Sequence, residues 1–589
     1  MAGSDRPGTA GRLPLHVRVM RRLSARGLPG PVCRVAVQRR IEVPAADGVP
    51  LLTDHYVPLA EGPCPALLVR SPAGRGFPWD YVYGAQFAAQ GFHVLVQSCR
   101  GTGGSGGTFD PWRNECADSQ ATVAWLRQQE WFSGALGGIG TSYLGYAAWA
   151  LAADPPPELR AIVADGSVDP AAFFYPGGAF ALEGALVGAV GYVFGGRGLA
   201  SAARAILRLR LRQRTVAQIL PLIDAYPAAL GGRVGMFEQW LTNPDPAGPY
   251  WAGLDLGAAT AKLAVPVSLV SGWDDAQLDQ TLAQYRRLRD HGGDVRLIIG
   301  PWSHTSIFDK GWPAVFPRVL SDLRAGLSAE PGRSGSPAGP GSPAGPPVRV
   351  HVGGCGQWLD LPDWPPQART QSWYLDADGS VGHQPPAQAG SSSFRYDPAG
   401  PTPSAGGPVM SGTAGSVDNT RLEARSDVLT FTSAPLTEAL DILGPVSARL
   451  RIRASNPHHD VFARLCDVGP DGRSRNICDG LTRRRPGDDD SGDTTITVPM
   501  SATAYRFSAG HRIRLQVSGG AHPRYARNTG TAEPAATATR LAPADIQVLH
   551  NADAPGTLSL PVVDTHALAE TLAQPSAAPV MFDRRPSPA

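Results

Sequence analysis

Short apolar runs alternate with helical patterns between residues 66 and 164. The predicted order is strand 66–69, helix 81–89, strand 94–97, helix 117–129, strand 136–140, helix 143–153 and strand 161–164. Apolar runs of this length, separated by helices, are typical of strands that are buried on both faces. The pattern therefore predicts a parallel β-sheet with helices on both sides.

The alternation stops after Asp165, and strand patterns return only at residues 265–270 and 295–299. Between them, residues 180–241 have the pattern of helices with interruptions. An insertion at this place lies over the carboxyl ends of the parallel strands, where open α/β sheets bind ligands. The sequence thus predicts a helical cap above a ligand site.

The second half of the chain changes to a period of two. Apolar and polar residues alternate over 446–453 and over 512–517, and Pro470-Asp471-Gly472 marks a turn. Strands with one apolar and one polar face predict an antiparallel β-sandwich or jelly roll. Two adjacent copies of Gly-Ser-Pro-Ala-Gly-Pro, at 335–340 and 341–346, cannot form a core and predict a linker between the halves.

Charge, cysteines and hydropathy exclude several classes of function. The 53 Lys+Arg residues nearly cancel the 51 Asp+Glu residues, and a net charge of +2 does not favour nucleic acid as a partner. The seven cysteines include no Cys-x-x-Cys pair, so we expect neither a disulfide framework nor a zinc site. We also expect no other metal and no cofactor. No apolar stretch has the roughly 20 residues that span a bilayer, and the arginine-rich start lacks the apolar core of an export signal. We expect a cytoplasmic protein.

The segment Gly140-Thr141-Ser142-Tyr143-Leu144-Gly145 joins a predicted strand to a predicted helix. A serine in such a turn has a strained backbone and a hydroxyl raised above the sheet, and the glycines leave room for its neighbours. A serine hydroxyl alone is a poor nucleophile, so a base is needed. Ser142 is therefore the candidate nucleophile of an α/β-hydrolase fold.

The base and the acid are expected later in the chain, in the order Ser, Asp or Glu, His. Asp274 and Asp275 follow the predicted strand 265–270, and His304 follows the strand 295–299. The carboxyl ends of parallel strands meet at one edge, so these side chains can converge on Ser142. His304 would take the serine proton, and one of the two aspartates would orient the imidazole.

Four segments carry a family resemblance: Gln97-Ser98-Cys99-Arg100-Gly101, the elbow within 131–145, Gly272-Trp273-Asp274-Asp275 and Gly300-Pro301-Trp302-Ser303-His304. Together they resemble the CocE/NonD family of serine hydrolases, which contains esterases, α-amino-acid ester hydrolases and X-Pro dipeptidyl-peptidases. In that family the acid follows Gly-Trp-x and the base ends Gly-Pro-Trp-x-His, so the resemblance implies Asp275 and His304. Residues 347–350 and 358–364 resemble the beginning of the family's C-terminal jelly roll.

The resemblance also implies what surrounds the reacting atoms. The backbone N–H of Tyr143 would be one donor of the oxyanion hole. The family's second donor is the tyrosine of Arg-x-Pro-Tyr, but this chain has Arg70-Ser71-Pro72-Ala73, so its second donor is unknown. Loss of one donor commonly lowers turnover by about 10²–10³. Phe173, Gln277 and Trp302 are the expected residues of the substrate pocket.

These patterns divide the chain into five segments. We expect an N-terminal extension at 1–33, an α/β-hydrolase domain at 34–165 and 255–330, a helical cap at 166–254, a linker at 331–346 and a jelly-roll β-sandwich at 347–589.

Four functions are compatible with this reading, each with a small-molecule ester, amide or acyl substrate. The first is hydrolysis through an acyl-Ser142 intermediate. The second is acyl transfer or other non-hydrolytic acyl chemistry in small-molecule biosynthesis, which Ala73 favours. A catalytically weak binding protein of the same fold is the third, but a complete triad argues against it. An X-Pro dipeptidyl-peptidase is the fourth, although the sequence shows no anchor for a free amine. The sequence does not indicate the oligomeric state.

Overall fold

The computed structural model of the protein describes residues 11–23, 27–194, 199–328, 345–484 and 492–563. The predicted linker, apart from Gly345 and Pro346, lies outside the described residues, and so do residues 1–10 of the predicted N-terminal extension.

Eleven strands of the described residues form one sheet in the order β1-β2-β3-β5-β4-β6-β7-β8-β9-β10-β11. They are β1 (Gly11–Arg12), β2 (Arg34–Pro44), β3 (Pro50–Leu59), β4 (Ala66–Ser71), β5 (His93–Ser98), β6 (Leu136–Gly140), β7 (Leu159–Ala164), β8 (Val267–Asp274), β9 (Val295–Ser303), β10 (Val348–Val352) and β11 (Gln357–Leu361). The strands from β5 to β10 in this order are parallel. The pairs at both ends of the sheet are antiparallel.

Helices cover both faces of this sheet, which explains why β4, β5 and β6 are buried along their whole length. The helices are α1 (Leu15–Leu23), α2 (Gln86–Ala88), α3 (Glu115–Leu126), α4 (Tyr143–Ala153), α11 (Gly257–Thr260), α12 (Leu278–Asp290) and α13 (Trp312–Ser328), and a π-helical turn (Asp80–Ala85) precedes α2. The predicted parallel sheet with helices on both sides is confirmed, except that its edge strands are antiparallel.

The predicted helical insertion between β7 and β8 is also confirmed. It contains α5 (Pro170–Phe174), α6 (Leu182–Phe194), α7 (Leu199–Gln218), α8 (Leu222–Ala225), α9 (Pro227–Leu230) and α10 (Gly235–Thr242). Its core is aromatic: the rings of Phe174 and Trp240 stack with centroids 4.5 Å apart. Trp112, from the loop before α3, contacts both rings from below. The cap thus packs directly on the α/β domain.

The C-terminal part is all-β and contains two sheets, as the period of two predicts. One sheet has the order β13-β12-β22-β16-β21-β14 with β19 beside β16, and the other has the order β15-β20-β17-β18. The elements are β12 (Arg369–Leu375), β13 (Val381–Gly382), β14 (Gly390–Tyr396), α14 (Thr420–Glu423), β15 (Val428–Thr432), β16 (Leu440–Ala454), β17 (Asp460–Val468), β18 (Ser474–Arg483), β19 (Thr494–Phe507), β20 (Arg512–Ser518), β21 (Ala544–His550) and β22 (Thr557–Val562). The apolar positions of β16 and β20 face each other in the shared core.

One predicted boundary differs from the sheet topology. The sequence placed everything from residue 347 onward in the sandwich, but β10 pairs in parallel with β9 and β11 pairs with β10. These two strands therefore extend the sheet of the α/β domain. Val348, Val350 and Val352 are buried and alternate with partly exposed residues. Such a pattern identifies a strand with one buried face, but it does not tell which sheet the strand joins.

Among the described residues, no helix combines the length and the apolar character needed to cross a bilayer. The cytoplasmic location expected from the sequence stays a prediction.

Candidate active site

The turn between β6 and α4 places Ser142 at the carboxyl end of the sheet. Ser142 has φ 58° and ψ −132°, a left-handed conformation that is rare for a residue with a side chain. Backbone strain of this kind costs about 1–3 kcal/mol and is typical of functional sites. The turn depends on its glycines, because a Cβ at Gly140 would lie 2.3 Å from the Leu144 carbonyl oxygen.

His304 and Asp275 contact each other above the neighbouring strands. His304 follows β9, Asp275 follows β8, and the Nδ1–H of His304 donates to Oδ1 of Asp275 over 2.9 Å. The same oxygen accepts the backbone N–H of Gln277 at 2.9 Å. Asp275, and not Asp274, therefore contacts the imidazole. Burial, with the nearby charge of Asp479, raises the pKa of Asp274 to about 6.

The charges around His304 favour its protonated form. Burial alone would lower the pKa of His304, but the charge and the hydrogen bond of Asp275, together with the charge of Asp165, raise that pKa to about 9. A carboxylate beside an imidazole stabilises the imidazolium that forms when the base takes a proton. In its neutral form, which predominates above this pKa, His304 is thus suited to act as a general base.

Ser142 and His304 line the same cavity, which has a volume of about 350 Å³. Its walls are mostly apolar, and its size is within the usual range for small-molecule sites. The α/β domain, the cap and the all-β domain all contribute to it, and the last of these supplies Met410. The Met410 N–H donates to Oε2 of Glu183 in α6 over 3.0 Å, so the cap and the all-β domain are joined beside the cavity.

A larger cavity of about 730 Å³ adjoins the first, between α12, the cap and strands β18 and β19. Phe173 and Met410 border both cavities, whereas Asp275 borders only the larger one. Ser142 and His304 border only the smaller one, so that cavity is where the chemistry of a serine nucleophile is possible.

Most of the other residues singled out from the sequence also border the smaller cavity. Ala73, Tyr143, Phe173 and Gln277 are among its lining residues. Gln277 Oε1 accepts the hydroxyl of Ser167 at 2.5 Å. Tyr143 is the first residue of α4, so its backbone N–H has no partner within the helix. This N–H donates to none of the described residues.

The prediction that Trp302 belongs to the substrate pocket is wrong, because Trp302 does not line the cavity. Its side chain is only 4% exposed, and its Nε1–H donates to the Ser271 carbonyl oxygen at 2.9 Å. Its ring lies 5.8 Å from that of Trp358 in β11, in the core below the site. The large apolar side chain fills space between strands and does not face a substrate.

Sequence reasoning missed two polar residues of the site. Asp165 follows β7 directly, and its Oδ2 accepts the backbone N–H of Ser142. An acidic residue immediately after a predicted strand was the available signal. Tyr192 comes from α6 of the cap and lines the cavity, with its ring 5.1 Å from that of Tyr143. Nothing in the sequence of the cap pointed to it.

Comparisons with known proteins find relatives of this chain. Residues 47–306 match the family described as X-Pro dipeptidyl-peptidase (S15 family), and residues 343–558 match the X-Pro dipeptidyl-peptidase C-terminal non-catalytic domain. Cocaine esterase from Rhodococcus sp. (strain MB1 Bresler) is 31% identical over 539 residues, which are 84% of this chain and 93% of that protein.

Two solved structures share the fold. An α-amino acid ester hydrolase matches with a TM-score of 0.75 and 21% identity, over 92% of this chain and 99% of that chain. A CocE/NonD family hydrolase from Staphylococcus aureus matches with a TM-score of 0.65 and 14% identity, over 90% and 94% of the two chains.

The fold and these relatives make the chain a serine hydrolase enzyme. The chain belongs to the CocE/NonD family of serine hydrolases, as the sequence resemblance predicted.

Proposed function

We propose that the chain cleaves a small-molecule ester or amide through an acyl-Ser142 intermediate, with His304 as general base and Asp275 as the orienting acid. The observation that carries this proposal is the meeting of a strained serine turn with the His304–Asp275 pair at one cavity. Ser142 and His304 both line that cavity, and Asp275 contacts His304 from behind it.

The reaction has two halves. The Ser142 hydroxyl attacks the carbonyl carbon while Nε2 of His304 takes its proton, and Asp275 stabilises the imidazolium. The tetrahedral intermediate collapses, the leaving group takes the proton from His304, and the acyl group stays on Ser142. Water then attacks the acyl carbon and gives a proton to His304, and release of the acid returns that proton to Ser142.

The oxyanion needs donors, and Ala73 has no side-chain donor to offer. The Ala73 N–H already donates to the Ser71 hydroxyl at 3.1 Å. We assign the first donor to the N–H of Tyr143 and the second to the hydroxyl of Tyr192. The Tyr192 hydroxyl makes no hydrogen bond among the described residues, although its ring is enclosed by aromatic rings. Burial raises the pKa of Tyr192, so the hydroxyl keeps its proton and can donate.

The cavity favours an acyl group that is compact and apolar. Its walls near Ser142 carry aromatic and aliphatic side chains, namely Trp79, Phe173, Phe174, Val187, Phe308 and Met410. A cavity of about 350 Å³ holds a small molecule and not an extended peptide.

Acyl transfer to an amine or an alcohol is the second candidate function. Ala73 favours it, because an enzyme that lacks the tyrosine hydroxyl of its relatives can have a different balance between water and other acyl acceptors. Incubation with a p-nitrophenyl ester and hydroxylamine separates the two: a hydroxamate as the main product indicates transfer, and a free acid indicates hydrolysis.

Labelling with a fluorophosphonate tests the proposed function directly. We expect mass spectrometry to find the probe on Ser142, no label after Ser142→Ala, and strongly reduced label after His304→Ala. Ser391→Ala, which changes an exposed serine of β14, is the matched control and should label like the unchanged protein. Folded protein that does not label at Ser142 would instead favour a binding protein of the same fold.

A further inference from the structure

Asp165 lies in the site, but the proposed mechanism gives it no role. It follows β7, the strand that lies between β6, which leads to Ser142, and β8, which leads to Asp275. Its side chain is buried, with 2% of the residue exposed. The loop at the carboxyl end of β7 thus places a carboxylate directly below the serine turn.

The contacts of Asp165 fix it against this turn. Oδ2 accepts the N–H of Ser142, and Oδ1 accepts the N–H of Ser167 at 3.3 Å. The Asp165 carbonyl oxygen accepts the Nε1–H of Trp149 in α4 at 2.6 Å. Gly145, which ends the elbow, leaves room for the Asp165 carboxylate, because a Cβ at this position would lie 2.4 Å from Oδ1 of Asp165.

The groups that face Asp165 come from several elements. His304 and Asp275 lie close enough to affect its protonation, and burial raises the pKa of Asp165 to about 7. In return, the charge of Asp165 adds to that of Asp275 in raising the pKa of His304. Tyr83 and Tyr192 are the other titratable groups near it, and both remain protonated because burial raises their pKa.

We propose that Asp165 is a positioning residue of the nucleophile: its carboxylate holds the Ser142 N–H, and its negative charge acts on His304 alongside Asp275. This inference rests on the proposed function. The left-handed turn leaves the Ser142 N–H pointing into the protein, where a buried donor needs an acceptor. With that N–H held, the next one along the chain, that of Tyr143, stays available for the substrate oxygen.

Two substitutions separate the hydrogen bond from the charge. Asp165→Asn keeps an oxygen for the Ser142 N–H but removes the charge, and Asp165→Ala removes both. We expect Asp165→Ala to lower kcat and the rate of fluorophosphonate labelling at least about tenfold at pH values above the midpoint of the pH–rate profile, because the turn is no longer held. KM for a p-nitrophenyl ester should change little.

The Asn variant should behave differently. At high pH its kcat should approach that of the unchanged protein, and the midpoint of its pH–rate profile should fall by about one unit, because one negative charge beside His304 is gone. A residue with only a structural role would not move this midpoint. Asp322→Asn is the matched control, since it neutralises a buried carboxylate of α13 that accepts the Ser268 hydroxyl at 2.6 Å.

The outcomes are distinguishable. Unchanged labelling rates and an unchanged pH midpoint in both Asp165 variants would overturn the inference while leaving the proposed function intact. Absence of label on Ser142 in the unchanged protein would instead remove the proposed function. If thermal melting shows that Asp165→Ala does not fold, the midpoint of the Asn variant alone decides.

Discussion

The Nδ1–H of His304 donates to Oδ1 of Asp275, and the backbone N–H of Gln277 donates to the same oxygen. The carboxylate is therefore held from both sides, and the imidazole can present only its Nε2 to the cavity. This arrangement connects the loops after β8 and β9.

Neutralising Asp275 should stop most of the proposed chemistry. We expect Asp275→Asn to lower kcat by about 10⁴, because the amide favours the wrong imidazole tautomer and cannot stabilise the imidazolium. Steady-state kinetics on a p-nitrophenyl ester measures this. Asp274→Asn is the control, since Asp274 is the last residue of β8, next to Asp275, and does not contact His304. A loss of similar size in that variant would contradict the assignment.

The activity should depend on pH through His304. The general base must be neutral, and the charges of Asp275 and Asp165 raise the pKa of His304 to about 9. We therefore expect kcat/KM to rise about tenfold per pH unit below this pKa and to level off above it. A profile measured in buffers of constant ionic strength checks this, and a plateau that already begins below neutral pH would refute the charge argument.

The oxyanion hole can be tested by moving the proposed donor hydroxyl from position 192 to position 73. We expect Tyr192→Phe to lower kcat by about 10²–10³, because one oxyanion donor is lost. Adding Ala73→Tyr to this variant should restore part of the rate, since it returns the hydroxyl that relatives place there. If Tyr192→Phe alone keeps full activity, another group supplies the donor.

Met410 should limit the size of the acyl group. It reaches the cavity from the all-β domain and lines it together with the cap residue Phe173. Met410→Ala removes this side chain, so we expect the ratio of kcat/KM for a butyrate ester over an acetate ester to rise about tenfold. Leu541→Ala, on an exposed loop, is the control. An unchanged ratio would show that Met410 does not bound the acyl site.

The sequence predicted the regular, sharply bounded elements best. The strand at 136–140 and the helix at 143–153 coincide with β6 and α4, because glycines and a serine turn interrupt the chain between them. β2 and β3 were not predicted as strands of the sheet. Only two of the eleven residues of β2 are buried, so the apolar pattern of this strand is weak.

The site followed the same rule. Ser142, Asp275 and His304 could be predicted as site residues because each follows a strand and belongs to a local motif, and their catalytic roles stay a prediction. Tyr192 and Met410 could not be found, since their place at the cavity depends on how the cap and the all-β domain pack. The pocket prediction for Trp302 was wrong because a residue that is close to His304 in the sequence can point away from the cavity.

The attachment of β10 and β11 to β9 determines where this protein can be divided. A fragment that ends at the repeated Gly-Ser-Pro-Ala-Gly-Pro segment would leave β9 as a bare, apolar sheet edge, a structure that invites aggregation. A separately produced N-terminal portion should therefore extend through Leu361, and an exchange of C-terminal domains between relatives should join the chains after that residue.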